Sequence, residues 1–306
     1  MEERSDRRYP VNKNDKAHSG YGSIHRRSQM KEYIYKPIKF HVIAYASTWF
    51  FWMLAIMFNE GMSLTVFMLL GLLCPAAVAV LFIAKSNNSV LRKDFAAKLL
   101  DFKRLRPVII IEAVAAFMLI AAASILLSTV FGQSLDQFGI RDFTFSISGE
   151  SSLAVIILAS LIEEIGWRGY AEDSIAQYHT WFGESVIFGI VWPLWHLPLF
   201  WIPGTYHIGL MSLGWGYVLN FFVSGFFLGY LTTWVYVKNN RSMLASIIFH
   251  FFVNLIQEKV AMTPQTKCVE TIVVAAAAAA VVLTNREMFF ETRHIGRLPM
   301  PDNGKE

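Results

Sequence analysis

The residues best suited to chemistry lie at the end of an apolar run that begins near Ser152. There, Glu163, Glu164 and Arg168 place two carboxylates and a guanidinium in a hydrophobic setting, where charged side chains are costly and usually functional. In a helix, Glu164 and Arg168 lie four residues apart on one face and can form an ion pair. Glu163 points about 100° away toward another surface. Its carboxylate has no charged partner in its own helix and is the better candidate for chemistry.

Two later apolar segments carry polar side chains that could reach Glu163. His196 lies between two prolines, which release backbone hydrogen bonds and permit a local kink. His250 and Asn254 lie four residues apart and project from one helix face. A carboxylate, two imidazoles and an amide suit hydrolysis. The carboxylate can act as a general base toward water, while the other groups orient the water or donate hydrogen bonds to an oxyanion.

Water is the nucleophile that this set of residues favours. The sequence contains no serine in a GxSxG context, and neither Cys74 nor Cys268 has a matching histidine. A lone histidine or asparagine inside a membrane also commonly links helices, so each has a structural interpretation as well. His207 lies in a short loop between apolar segments and is expected to be exposed.

The composition indicates that these residues belong to a membrane protein. Of the 306 residues, 55% are hydrophobic and 16% are charged, whereas a soluble domain has about 25% charged residues. The net charge is +4, but the basic residues flank apolar segments, so the lipid bilayer and not nucleic acid is the expected partner. The polar stretch 1–39 argues against an ordinary cleaved signal peptide.

The apolar pattern predicts an all-α fold, a polytopic bundle of about eight transmembrane helices. Each segment is close to the ~20 residues that cross a bilayer. The segments are 40–58, 63–84, 107–131, 152–171, 182–202, 213–237, 243–257 and 269–284. Residues 90–105 have an apolar face opposite a basic face, which predicts an amphipathic helix at the membrane surface, with a solvated loop as the alternative.

Basic residues collect in alternate loops and so predict the orientation of the bundle. Ten lie within 1–39 and seven within 85–106. The opposite loops contain Arg141, Lys259 and Lys267. By the positive-inside rule both termini are expected in the cytoplasm, in a multi-pass protein of the cell membrane. The basic tail 1–39 is expected to be largely disordered.

In order and spacing, three motifs resemble those of the CAAX-protease and bacteriocin-processing family, called CPBP or Abi. The family patterns are Glu-Glu-x-x-x-Arg, Phe-x-x-x-His and His-x-x-x-Asn. The matching residues here are Glu163, Glu164, Arg168, Trp192, His196, His250 and Asn254. The one departure is Trp192 in place of phenylalanine, an aromatic substitution that bears on packing near His196. The resemblance covers residues 150–258, between N-terminal helices in 40–131 and a last helix with a basic tail in 259–306.

The resemblance implies a glutamic-type intramembrane endopeptidase that needs neither a cofactor nor a metal. Glu163 would activate water with the help of His196, and His250 with Asn254 would stabilise the oxyanion. Glu164 and Arg168 would hold their helix in place. The implied substrates are prenylated or other lipidated proteins, leader peptides, or other membrane-associated peptides. In family members that process prenylated CAAX proteins, the site opens toward the cytoplasm.

Three other functions stay open at this point. Glu163, His196 and His250 have the side-chain types of a catalytic zinc site, although no HExxH motif is present. A non-catalytic peptide-binding or bacteriocin-immunity protein could use the same polar cavity. A transporter could use intramembrane glutamate and histidine as a proton pathway, but the sequence contains no inverted repeat.

Overall fold

The computed structural model describes residues 33–143 and 152–291, which form a helical bundle. The helices are α1 (Pro37–Met57), α2 (Gly61–Ala84), α3 (Ser89–Leu100), α4 (Pro107–Ser128), α5 (Ser152–Gly166), α6 (Glu172–Ala176), α7 (Trp181–Trp195), α8 (Tyr206–Leu213), α9 (Trp215–Lys238), α10 (Met243–Lys259) and α11 (Pro264–Thr284). An isolated antiparallel bridge pairs Ile140 with Val260. The predicted all-α class is confirmed.

Each of the eight predicted apolar segments contains a helix. Five helices, α1, α2, α4, α9 and α11, are long and apolar enough to cross a membrane. A sixth candidate combines α7 and the turn that follows it with α8, across a bend of 80°. The protein is therefore a multi-pass membrane protein. Of the helices that carry the outer two motifs, α10 has 17 residues, and α5 has 15 but continues through a π-helical turn, Trp167–Ala171, into α6.

Proline and side-chain caps set several helix boundaries. Pro37, Pro107 and Pro264 occupy the first turns of α1, α4 and α11. Backbone N–H groups in a first turn have no partner within the helix, so proline, which lacks this group, costs no hydrogen bond there. Asn88 caps α3, because its Oδ1 accepts hydrogen bonds from the first backbone N–H groups of that helix at 2.9 and 3.0 Å. The first residues of these helices are therefore set by proline or by a capping side chain in the local sequence.

The segment between the second and third apolar segments, where an amphipathic helix is predicted, contains α3, which packs on the residues that follow α5. Leu91 is buried on its apolar face. Lys98 is also buried, and its Nζ donates to Asp173 Oδ2 at 2.7 Å and to the backbone oxygens of Arg168 and Gly169. Burial lowers the pKa of Lys98, and the nearby Asp173 carboxylate opposes that change. These bonds connect α3 to the segment that follows the Glu-Glu pair.

Glycines allow the site-bearing helices to approach closely. A Cβ on Gly166, at the end of α5, would lie 2.7 Å from the Cβ of Pro75 in α2. A Cβ on Gly229 of α9 would lie 3.1 Å from the Cα of Gly189 in α7. Small residues at helix crossings are typical of membrane bundles, where close backbone approach replaces the hydrophobic effect. These crossings fix α5 and α7 relative to their neighbours and so fix the site between them.

Candidate active site

A cavity of about 410 Å³ brings the predicted site residues together. Glu163 reaches it from α5, His196 from the end of α7, and His250 and Asn254 from α10. A volume of this size is typical of a ligand site. The four side chains that the sequence placed on three separate segments therefore line one space.

Glu163 is buried, with 6% of its surface exposed, and is held by a residue of another helix. The indole Nε1 of Trp192 in α7 donates a hydrogen bond to Glu163 Oε2 at 3.1 Å. No described residue donates to Oε1. One carboxylate oxygen is thus fixed by the protein, and the other is left for a ligand or water.

Glu164 connects α5 to α10. Its Oε1 lies 3.0 Å from Arg168 Nη1, which is the ion pair expected from the four-residue spacing. The same oxygen lies 2.8 Å from His250 Nδ1. Arg168 also lies 2.8 Å, through Nε, from Oε2 of Glu172. The buried guanidinium is therefore flanked by two acids, and His250 is oriented with its other ring nitrogen, Nε2, away from Glu164.

His196 lies where α7 ends and a 3-10 turn, Leu197–Trp201, begins. The helix type changes between the two prolines that flank the histidine, in line with the predicted local kink. His196 Nδ1 lies 3.1 Å from the backbone oxygen of Trp192. Because a carbonyl oxygen can only accept, Nδ1 carries the proton in that bond, and Nε2 keeps a lone pair.

Asn254 lies one helical turn beyond His250 on α10 and lines the same cavity. Its side-chain amide makes no hydrogen bond with any described residue. An amide N–H in this position is available as a donor. When both ring nitrogens of His250 carry a proton, its Nε2 is a second donor beside this amide, and the pair suits a developing oxyanion.

The expectation that His207 is exposed was wrong. His207 is the second residue of α8, and its ring centroid lies 5.6 Å from that of His196, with the two rings 20° apart. Its Nε2 is buried and has no hydrogen-bond partner in the described part of the chain. The 80° bend turns α8 back across the end of α7, so a residue that reads as part of a loop contributes to the cavity wall.

The side chains that could form a zinc site by their types are not arranged as one in the described residues. In residues 33–143 and 152–291, no group of three His, Cys, Asp or Glu side chains is arranged to hold a metal ion. The nearest partners of the two imidazoles at Nδ1 are the carboxylate of Glu164 and a backbone carbonyl.

The cavity runs from Glu163 toward the end of the bundle where α10 ends and α11 begins. Gln257, Lys267 and Glu270 line that end, and Gly204, which also lines the cavity, is exposed. The start of α1 lies at the opposite end, because the backbone N–H of Tyr35 donates to a side chain just after α6. Apolar residues of α2 form part of the side wall.

Comparison with known proteins connects this geometry to a family. Residues 150–256 match the family described as Type II CAAX prenyl endopeptidase Rce1-like. The chain is also 36% identical over 271 residues to CAAX prenyl protease 2 of Methanococcus maripaludis, across 86% of this chain and 98% of that protein. This chain belongs to the Rce1-like CAAX prenyl endopeptidase family. The matched region contains all three motifs, so the resemblance seen in the sequence is confirmed and the protein is a membrane protease.

Two contacts in this Rce1-like site were missed by sequence reasoning. The first is the bond from Trp192 to Glu163, since the tryptophan was treated only as a change in packing. An indole N–H is a donor that phenylalanine lacks, so a signal was present. The second is Glu172, which follows Arg168 by the same four residues that separate Arg168 from Glu164. That repeated spacing was visible in the sequence.

Proposed function

We propose that this Rce1-like protein cleaves peptide bonds within the membrane by means of water that Glu163 activates. The observation that carries the proposal is the meeting of Glu163, His196, His250 and Asn254 in one buried cavity. A carboxylate with one fixed oxygen and one unbonded oxygen suits a general base, because the fixed oxygen orients the free one toward water.

In this mechanism, a water molecule lies between Glu163 and Nε2 of His196. Glu163 takes a proton as the water oxygen attacks the scissile carbonyl carbon, while His196 Nε2 accepts a hydrogen bond from the second water proton. The carbonyl oxygen becomes an oxyanion. When the carbon–nitrogen bond breaks, the proton held by Glu163 passes to the leaving amine, and a carboxylic acid and a free amine result.

The oxyanion is stabilised by the side-chain amide of Asn254 and by Nε2–H of His250 in its imidazolium form. Glu164 supports that form, since its carboxylate accepts the Nδ1 proton at 2.8 Å. Arg168 balances the charge of Glu164 and holds it in position. Donors fixed in advance contribute more than mobile ones, because they need no reorganisation as charge develops.

The substrate is a peptide attached to a lipid. The relative from Methanococcus maripaludis is named a CAAX prenyl protease, and a CAAX motif is prenylated on its cysteine. In this chain, Met68 and Leu72 of α2 and Val155 of α5 give the cavity an apolar wall, beside the polar groups that bind the peptide. An apolar wall suits a lipid chain.

Cleavage of lipidated and leader-type peptides by the purified protein tests this function. Wild type is compared with Glu163→Gln and Glu163→Ala, with and without a chelator, and with Glu112→Gln as a matched control on an exposed acid of α4. The mechanism predicts cleavage by wild type and the control, with or without chelator, and loss of cleavage in both Glu163 variants.

Other outcomes favour other functions. Cleavage that the chelator abolishes and zinc restores would replace the mechanism with a metalloprotease. Glu163 variants that still cleave would remove Glu163 as the base. Binding of these peptides without cleavage by wild type would favour a peptide-binding or immunity protein.

A further inference from the structure

The end of the cavity remote from Glu163 contains a cationic side chain. Lys267, near the start of α11, is the one lysine or arginine among the described residues that line the cavity. Its Nζ donates to the backbone oxygen of Gln257 at 3.3 Å and lies 4.6 Å from the centre of the Tyr206 ring. Neither partner is charged, and no described carboxylate forms an ion pair with this ammonium group.

The acid nearest to Lys267 in sequence is already engaged. The side-chain amide of Gln257 donates to both oxygens of Glu270, at 2.7 and 2.8 Å. The ammonium group therefore keeps hydrogen-bonding capacity for an anionic ligand that enters the cavity.

Asn220 of α9 offers a second donor at this end. Its Nδ2 lies 3.4 Å from the backbone oxygen of Lys267, at the long limit of a hydrogen bond. Asn220 also lines the cavity. An ammonium group and a primary amide that face the same space are a donor pair suited to the two oxygens of a carboxylate.

The distance between Lys267 and the proposed oxyanion donors sets the number of substrate residues that fit between them. Gln257, which contacts Lys267, follows His250 by seven residues on α10, a rise of about 10.5 Å. An extended peptide covers about 10 Å in three residues. A scissile carbonyl beside His250 would thus be followed by about three residues before the chain reached Lys267.

We propose that Lys267, assisted by Asn220, binds the free α-carboxylate at the C-terminus of the substrate. This inference rests on the proposed function, since it assigns the cleaved bond to the His250 end of the cavity. It fits a CAAX-type substrate, because that motif is the last four residues of a chain.

Paired peptides test the assignment. The two peptides share one sequence and one lipid group on cysteine, and differ only in a C-terminal carboxylate or amide. Steady-state cleavage is measured for wild type, Lys267→Met and Lys267→Arg. Lys259→Met is the matched control, because Lys259 also packs on an aromatic ring, that of Phe143, but does not line the cavity. Equilibrium binding of both peptides is measured with Glu163→Gln protein, with and without Lys267→Met.

Wild type is expected to prefer the carboxylate peptide by about tenfold in kcat/KM, mainly through KM, as for one charge-assisted hydrogen-bonded pair. Lys267→Met should lose that preference by slowing only the carboxylate peptide, Lys267→Arg should restore it, and Lys259→Met should retain it. Equal cleavage of the two peptides by wild type, or a preference that survives Lys267→Met, would overturn the assignment.

The binding measurement separates this inference from the proposed chemistry. If wild type cleaves neither peptide, the proposed function fails, yet Glu163→Gln protein still reports on Lys267. Tighter binding of the carboxylate peptide that disappears with Lys267→Met supports the carboxylate site. Equal binding of the two peptides refutes it.

Discussion

Replacement of Trp192 by phenylalanine tests whether the protein positions Glu163 for catalysis. The substitution removes the 3.1 Å bond from Nε1 to Glu163 Oε2 and introduces the residue of the family pattern. It keeps an aromatic ring that can stack on Phe188, whose centroid lies 5.8 Å from that of Trp192 with the rings 10° apart. The main change is therefore the loss of one donor, with a smaller loss of packing.

A hydrogen bond to a charged group contributes about 1.5–3 kcal/mol. Water in the cavity can replace part of this bond in the variant, so the lower value is the better guide. A loss of about 1.5 kcal/mol in transition-state stabilisation lowers kcat a little more than tenfold. KM should stay constant, since Glu163 acts on water and the bond to Trp192 does not contact the bound peptide.

Steady-state cleavage of a lipidated peptide by Trp192→Phe and Trp49→Phe checks this prediction. Trp49 also donates through Nε1, to the backbone oxygen of Trp195 at 3.0 Å, but does not line the cavity. The two variants lose the same type of bond, and only one should lose kcat. If Trp192→Phe keeps kcat within twofold of wild type, or changes KM alone, Glu163 does not depend on this bond.

The buried charges that support the site give further predictions. Arg168→Met leaves Glu164 and Glu172 buried without their counter-ion, and should destabilise the protein by about 3–5 kcal/mol, measured by unfolding in detergent against Lys93→Met on the exposed face of α3. Glu164→Gln keeps the shape of the side chain but removes the charge opposite His250. It should lower kcat at least as much as Trp192→Phe with little change in KM, and unchanged kcat would exclude His250 from oxyanion stabilisation.

Local patterns in the sequence were sufficient for the elements and for the motif residues. Apolar runs of membrane length located every segment that contains a long helix, because hydropathy depends only on composition within a window. The four-residue spacing predicted the pair between Glu164 and Arg168, since residues one turn apart meet in any helix. Information that is local along the chain was therefore enough for these features.

Contacts between helices could not be obtained from local patterns. Whether the indole of Trp192 reaches Glu163 depends on how α5 and α7 cross, and the crossing depends on contacts with α2 and α9. The position of the His207 ring beside His196 depends on the direction of the bend before α8. The sequence of each segment alone does not determine the helix crossing angle or the bend angle. The sequence therefore predicted which residues line the cavity but not the shape of the cavity.

The charge pattern and the cavity together constrain the side from which substrates enter. The start of α1, the end of α11 and the basic stretch 85–106 lie at one end of the bundle, and the cavity runs to the other. If the termini are cytoplasmic, as their basic residues predict, this end of the cavity faces the opposite side of the membrane. The two possible orientations of the bundle therefore place this end of the cavity on different sides of the membrane.

Labelling of intact cells with a membrane-impermeant maleimide decides between them. Gln265→Cys places a thiol on an exposed position at the cavity end, and Lys93→Cys places one at the other end, each in a Cys268→Ser background because Cys74 is buried. The positive-inside rule predicts labelling of Gln265→Cys alone, which would favour leader-type or secreted peptides as substrates. Labelling of Lys93→Cys alone would reverse the orientation and give prenylated cytoplasmic proteins direct access to the cavity.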